Sequence, residues 1–507
     1  MANLTEHIDG LDRPALDRAR LSRDPRFDGR FFIGVRSTGI YCRPICPSPT
    51  SKRINVRYYA SAAAAEAAGF RPCLRCRPEA APGTPGWRGT AAVVQRALRL
   101  IEEGALNDAS VDALATRVGL GARHLDRLFL QHVGASPLAI AQSHRLAYAR
   151  ELLAHTDLSM TEIALTAGFG SLRRFNQAFR KSYERTPSEL RARGCTTETT
   201  EPDVVLRLAY RPPYDWSGVL NELAAHAVPG VECVSALEYT RAVAMDDDHH
   251  ALVRVRPLEG EDALELRVSG AKPARLLELS TTTRRVFDLA ADPASIAAAF
   301  AGDVLLAPLV TERPGLRIGG AWSPFECAVC LVLASPDSRS RLEVAPTSPV
   351  EEAPALIARL VARTGRAIAI GGSGLTRVFP SPAVLAHADL DGLRLGNKCT
   401  ALRALAKTVH DGTLDFDAPA DDVAGALSAL SGFDDSAVQR FAMRALGDPD
   451  AFPVAELAKL APLSGARTLN ARAEAWRPWR SYAAVLLSGS EEEAMLPGAR
   501  RTASAHH

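Results

Sequence analysis

Apolar residues recur with a helical period through the second quarter of the chain. In SVDALATRVGL, Val111, Leu114, Ala115 and Val118 stand at i, i+3, i+4 and i+7, and Ser110 is placed to cap the helix start. Gly119 ends that helix. A second follows, with Leu125, Leu128 and Phe129 inward. MTEIALTAGFGSLRRFNQAFRKSY repeats the scheme: Ile163, Ala164 and Ala167 face inward, Gly168 breaks the run, and the next helix buries Phe175 and Phe179. The pattern predicts two helix–turn–helix units joined by a helix over Pro137–His155, within a stretch that is helical from about Thr90 to Arg193.

Elsewhere the period changes. DVVLRLAY and ALELRVSG alternate as strands do, in a mixed stretch after the polar linker Cys195–Asp203. From about Asp292 to Leu487 the helical period returns. APGTPG, Ala81–Gly86, is a Pro/Gly joint, and the tail EEEAMLPGARRTASAHH reads as unstructured. A chain of 507 residues is too long for one core. The boundaries expected are 1–82, 88–194, 203–290, 291–490 and a disordered tail over 491–507. The fold class is multidomain α+β: a small N-terminal domain, an all-α double helix–turn–helix domain, an α+β domain and an all-α domain.

Composition is that of ordinary soluble protein, with 47% hydrophobic and 23% charged residues. Formal net charge is only +2, so any nucleic-acid surface must be local. The N-terminus MANLTEHIDGLDRPALDRARL carries charges throughout and reads as no signal peptide, and no apolar run approaches the ~20 residues of a membrane span. A cytoplasmic location is expected, where thiols serve as metal ligands or nucleophiles before disulfides.

Nine cysteines are present, and four crowd into GIYCRPIC and RPCLRC, at Cys42, Cys46, Cys73 and Cys76. The spacing is C-x3-C, 26 residues, C-x2-C. Pairs two or three residues apart suit a tetrahedral ion, and four thiolates suit one Zn²⁺. Two other clusters read as structural: Cys327 and Cys330 in ECAVC as core thiols, and DDDHH, Asp246–His250, as a solvated loop.

DPRFDGRFFIGVRSTGIYCRPICPSPTSKRINVRYYASAAAAEAAGFRPCLRCRPE closely resembles the N-terminal domain of the bacterial Ada family. The resemblance implies that Cys42 takes a methyl group, once and irreversibly, from an Sp-type methylphosphotriester of DNA, with Zn²⁺ both structural and catalytic. It makes Thr38 and Arg71 candidates for phosphate contacts. Four thiolates on Zn²⁺ leave two net negative charges, which keep the sulfurs deprotonated and nucleophilic. Methylation removes one of them. At ~6 Å from a DNA phosphate this is worth roughly 0.7–3 kcal/mol for effective dielectrics of 80 to 20. The alternative is a zinc ribbon that never reacts.

LSMTEIALTAGFGSLRRFNQAFRKSYERTPSELR resembles the second unit of the AraC-type DNA-binding domain, which follows the zinc module in Ada-type regulators. Recognition helices are then expected over Ala122–His132 and Ser171–Tyr183, each in a major groove. Candidate DNA contacts are Arg123, His124 and Arg127 in the first, and Ser171, Arg173, Arg174 and Asn176 in the second. Double-stranded DNA, both methylated backbone and promoter, is the expected partner, with RNA polymerase beside it.

LRLAYRPPYDWSGVLNELAAHAVPGVECV resembles the N-terminal domain of AlkA-type DNA glycosylases, and RPGLRI, ALGDPDAFP and WRPWRSYAA resemble that family's helix–hairpin–helix domain. Members flip an alkylated base into an aromatic pocket, where an Asp helps break the glycosidic bond. Several of those residues differ here. The hairpin reads Leu430, Ser431, Gly432, Phe433, Asp434, Asp435, Ser436, with Asp434 at its second Gly. The catalytic Asp falls on Glu456, and pocket aromatics fall on Ser436, Arg440 and Ser488. LASPDSRS puts Pro336 and Asp337 where the duplex wedge belongs. Trp476, Trp479 and Tyr482 remain, as core residues do.

The reading is therefore an alkylation-damage sensor and transcriptional regulator, with an AlkA-like half whose base excision is weak or lost. The alternatives are a bifunctional methyl acceptor and DNA-3-methyladenine glycosylase, and a zinc-stabilised transcription factor without methyl transfer. No PCHR-type motif for repair of O6-methylguanine is present.

Overall fold

The computed structural model describes residues 7–8, 11–76, 78, 92–156, 158–191, 203–246, 249–335, 353–368, 374–390, 392–393, 395–460 and 465–495. The first domain sets the helix Arg13–Ser22 against a four-stranded sheet. Asp12 caps that helix by accepting from the Ala15 N–H at 2.9 Å. Sheet order is Val56–Tyr59, Phe32–Val35, Ile40–Cys42, Arg71–Pro72, and the last pair is parallel. Leu16, Phe31, Ile33, Val56 and Tyr58 form the core between helix and sheet.

The helical region follows the predicted pattern. Ser110 caps the helix Val111–Arg117, and Leu114, Ala115, Leu125 and Phe129 are buried together. The connecting helix is Pro137–His155. Ser159 and Glu162 form a reciprocal capping box at the start of Met160–Thr166. Gly168 holds φ +81°, a left-handed turn that suits glycine, and Leu172–Tyr183 follows.

The α+β domain is a five-stranded antiparallel sheet in the order Val204–Ala209, Ala263–Ser269, His250–Pro257, Tyr239–Ala244, Glu232–Val234. Its core is continuous with that of the second helix–turn–helix unit: Phe175 and Phe179 belong to one buried cluster with Leu206, Val253 and Leu266. The expected linker after Arg193 thus divides the chain without dividing the core. Residues 195–202 of that linker lie outside the described residues.

From Pro293–Phe300 to Arg480–Met495 the fold is helical, around two cores. One contains Val329, Leu360, Leu402 and Phe441; the other contains Phe300, Trp476, Tyr482 and Leu486. Cys327 and Cys330 are core thiols, as expected. The last helix extends to Met495, into the segment expected to be unstructured from 491. Glu, Ala and Met are strong helix formers. Residues 496–507, Pro336 and Asp337 lie outside the described residues. Among the described residues, no helix is long and apolar enough to cross a membrane.

Candidate metal centre and DNA-facing residues

Strand register brings the four cysteines together. Ile40 and Tyr41 pair with Arg71 and Pro72, so Cys42 leaves its strand beside Cys73. The Cys73 N–H donates to the Tyr41 carbonyl at 3.0 Å, and the Cys46 N–H closes a turn onto Arg43 at 3.1 Å. All four sulfurs lie within 4.8 Å of one another, and among the described residues this is the one such group of potential metal ligands. Cys73 and Cys76 are buried, while Cys42 and Cys46 are half-buried.

The donor set calls for a cation. Hydrogen bonds with Cys46 and Cys73 push the Cys42 thiol up, and the hydrogen bond from Cys42 pulls Cys46 down. Four sulfurs this close share protons unless a positive charge lies between them. With Zn–S of about 2.3 Å, a tetrahedral ZnS4 site has S–S edges of ~3.8 Å, which this cluster accommodates.

Thr38 sits in the turn before the Cys42 strand, where its hydroxyl and N–H both donate to the Val35 carbonyl. Arg71 forms an ion pair at 3.1 Å with Glu184, the C-cap of the helix Leu172–Tyr183. Arg123, His124 and Arg127 are exposed on Ala122–His132, and Arg173, Arg174 and Asn176 are exposed on Leu172–Tyr183. Ser171 is half-buried, and its hydroxyl accepts from the Arg174 N–H at 3.3 Å as the N-cap.

In the helix–hairpin–helix region, Glu456 and Arg440 meet at 2.6 Å, both about a third exposed (34% and 36%). The Glu456 carboxylate is thus paired with the Arg440 guanidinium. Asp434 caps the helix Asp435–Arg444 by accepting from the Ala437 N–H at 2.9 Å. That helix N-terminus, the natural cradle for a phosphate, carries two carboxylates of its own. Ser436 lies on the same helix, and the Ser488 hydroxyl donates to the Ala484 carbonyl of its own helix at 3.0 Å. Trp476 and Tyr482 are buried and donate to Asp303 and Asp288 at 2.8 Å. In the acidic loop, Asp246 pairs with His249 at 2.9 Å and with Lys272, and residues 247–248 lie outside the described residues.

Known families match in the same order. The metal-binding domain of Ada matches residues 15–79, a helix-turn-helix domain 114–193, and the AlkA N-terminal domain 205–323. A probable bifunctional transcriptional activator/DNA repair enzyme AlkA of Mycobacterium tuberculosis is 38% identical over 479 residues, covering 92% of this chain and 94% of that protein. The chain belongs to this Ada/AlkA fusion family. The bifunctional transcriptional activator/DNA repair enzyme Ada of Escherichia coli is 42% identical over 149 residues, covering 29% of this chain and 40% of that protein. The DNA-3-methyladenine glycosylase 2 of Escherichia coli is 30% identical over 289 residues, covering 54% of this chain and 94% of that protein.

Three partnerships carried no sequence signal. Arg43 pairs with Asp28, Arg71 with Glu184, and Arg440 with Glu456. Each joins residues that are distant along the chain, so no local spacing announces it.

Proposed function

We propose that this Ada/AlkA fusion protein is a DNA-repair protein and transcriptional activator that senses methylated DNA backbone through Cys42. The observation that carries the reading is the cluster of four sulfurs within 4.8 Å, in which Cys42 is half-buried and not fully enclosed. Cys42, Cys46, Cys73 and Cys76 would hold one Zn²⁺. When bound, Zn²⁺ supplies the positive charge that keeps four thiolates deprotonated at neutral pH. The Cys42 sulfur then forms an S–CH3 bond as the C–O bond of the phosphotriester breaks, and the electron pair leaves on the phosphodiester oxygen. The thioether is a poor leaving group, so the reaction stops after one turnover. Thr38 and Arg71 are the proposed phosphate contacts.

Arg123, His124 and Arg127 on one helix, and Ser171, Arg173, Arg174 and Asn176 on the other, are the proposed promoter contacts. Arg and Asn can read purine edges bidentately. An activator held there has RNA polymerase as its partner. Transfer of labelled methyl from methylphosphotriester DNA should saturate at one per chain, and the methylated protein should bind promoter DNA more tightly. Turnover beyond one methyl, or no transfer, refutes the reading.

The AlkA-like half is proposed to be impaired in base excision. The Arg440–Glu456 pair and the Asp434 cap support this. The second reading, a working glycosylase, is favoured by the 30% identity that spans 94% of the Escherichia coli glycosylase. Release of free 3-methyladenine separates the two.

A further inference from the structure

We propose that the AlkA-like half completes the methyl-acceptor site: Arg211 and Asp292 are positioning residues for Cys42, acting across a buried seam. This rests on the reading of Cys42 as the acceptor.

Arg43 directly follows Cys42. Its backbone N–H donates to Cys76 Sγ at 3.4 Å, and its Nη1 donates to the Cys76 carbonyl at 3.2 Å. Its Nε donates to Asp28 Oδ1 at 2.7 Å, and its Nη2 donates to the other carboxylate oxygen. One side chain thus ties the loop of Cys76 to the strand of Cys42 and to Asp28.

Asp28 is held in turn from the AlkA-like half. Arg211 Nε donates to the Asp28 carbonyl, and Arg211 Nη1 to the Ala290 carbonyl, both at 3.0 Å. Arg317 Nη2 fixes the Arg211 carbonyl at 2.7 Å. Two residues past Asp28, Arg30 pairs with Asp292 at 3.5 Å. Every charged member is buried: Arg211, Arg317 and Asp292 are 0% exposed, Asp28 4%, Arg43 8% and Arg30 9%.

Two routes lead from this seam to the nucleophile. One runs through Asp28 and Arg43 to Cys76. The other is the backbone: Asp28 and Arg30 lead into Phe32–Val35, where Ile33 lies opposite Cys42. A buried charge that loses its partner moves or recruits water, because the interior does not solvate it. Displacement of a reacting group by ~1 Å costs on the order of 10²-fold in rate. Arg211 is fully buried, so in this arrangement it acts on the rate through position and not by touching DNA.

The test uses the full-length, zinc-loaded protein with Arg211→Met, Arg211→Lys and Asp292→Asn. The Asn keeps a good helix cap at 292 while removing the charge that pairs with Arg30, so it serves if Arg211→Met does not fold. Single-turnover methyl transfer is measured against DNA concentration. Amide exchange at residues 42–46 and zinc release to a chelator are followed in parallel. Arg211→Met and Asp292→Asn should lower the maximal transfer rate about tenfold or more at unchanged half-saturating DNA. Both should speed exchange at Arg43 and Cys46 and speed zinc release, with Arg211→Lys intermediate. Folded variants with wild-type transfer, exchange and zinc release overturn the proposal. If the wild type transfers no methyl, the Cys42 reading falls and so does the positioning role, whereas wild-type transfer with indifferent variants removes the positioning role alone.

Discussion

Replacing Glu456 by Gln removes one partner of the 2.6 Å pair with Arg440 and leaves the rest of the AlkA-like half in place. Its consequence differs by orders of magnitude between two roles. Both side chains are about a third exposed (34% and 36%) although the paired Glu456 Oε2 is itself covered, so water reaches the rest of each group and screens part of the attraction. A screened pair of this kind contributes about 0.2–1 kcal/mol. Glu456→Gln should therefore lower the melting temperature of the AlkA-like half by roughly 1–4 °C. A double cycle with Arg440→Met should return a coupling within the same range. A carboxylate that stabilised transition-state charge would behave otherwise, because its loss costs on the order of 10²–10³-fold in rate. The assay is release of free 3-methyladenine and 7-methylguanine from alkylated DNA by the wild type, Glu456→Gln and Glu456→Asp. No release by any of them is expected. Release by the wild type that falls about 100-fold in Glu456→Gln would refute the argument that this pocket is inactive.

Other consequences follow from charges elsewhere. Methylation of Cys42 should raise DNA affinity between a few-fold and about a hundred-fold, and the gain should shrink as salt rises, which gel shifts at two ionic strengths will read. Glu184→Gln should free Arg71 from its exposed pair, raising affinity up to about fivefold and steepening the salt dependence by about one counterion. Burial pushes Asp288 up to about 6, against the favourable hydrogen bonds from Tyr482 and Ile318. Its folded value lies above its unfolded one, so the folded state holds the proton longer. Stability should decline from about pH 4 to 6 and level off above, and Asp288→Asn should flatten that window in pH-dependent melts.

Much of the fold was legible because its signals are local. The helix start at Ser110, the break at Gly168 and the inward faces of Phe175 and Phe179 all follow from residues a few positions apart. The cysteine spacing announced a four-ligand site, and strand register supplied the closure. The shared core of the second helix–turn–helix unit and the five-stranded sheet was not legible, since hydrophobic period tells which face is buried and not against what. The same limit hid the seam at Asp28 and Arg211, which lie 183 positions apart. Ser171, expected as a DNA contact, also caps the helix Leu172–Tyr183, a local role its position just before that helix allows.

The central claim is that Cys42 is the acceptor. The direct measurement is peptide mass mapping of the zinc-loaded protein after mixing with methylphosphotriester DNA. The account predicts one methyl on the peptide carrying Cys42 and none on those carrying Cys73 and Cys76. A Cys42 peptide that stays unmodified, with the zinc still bound, would contradict it.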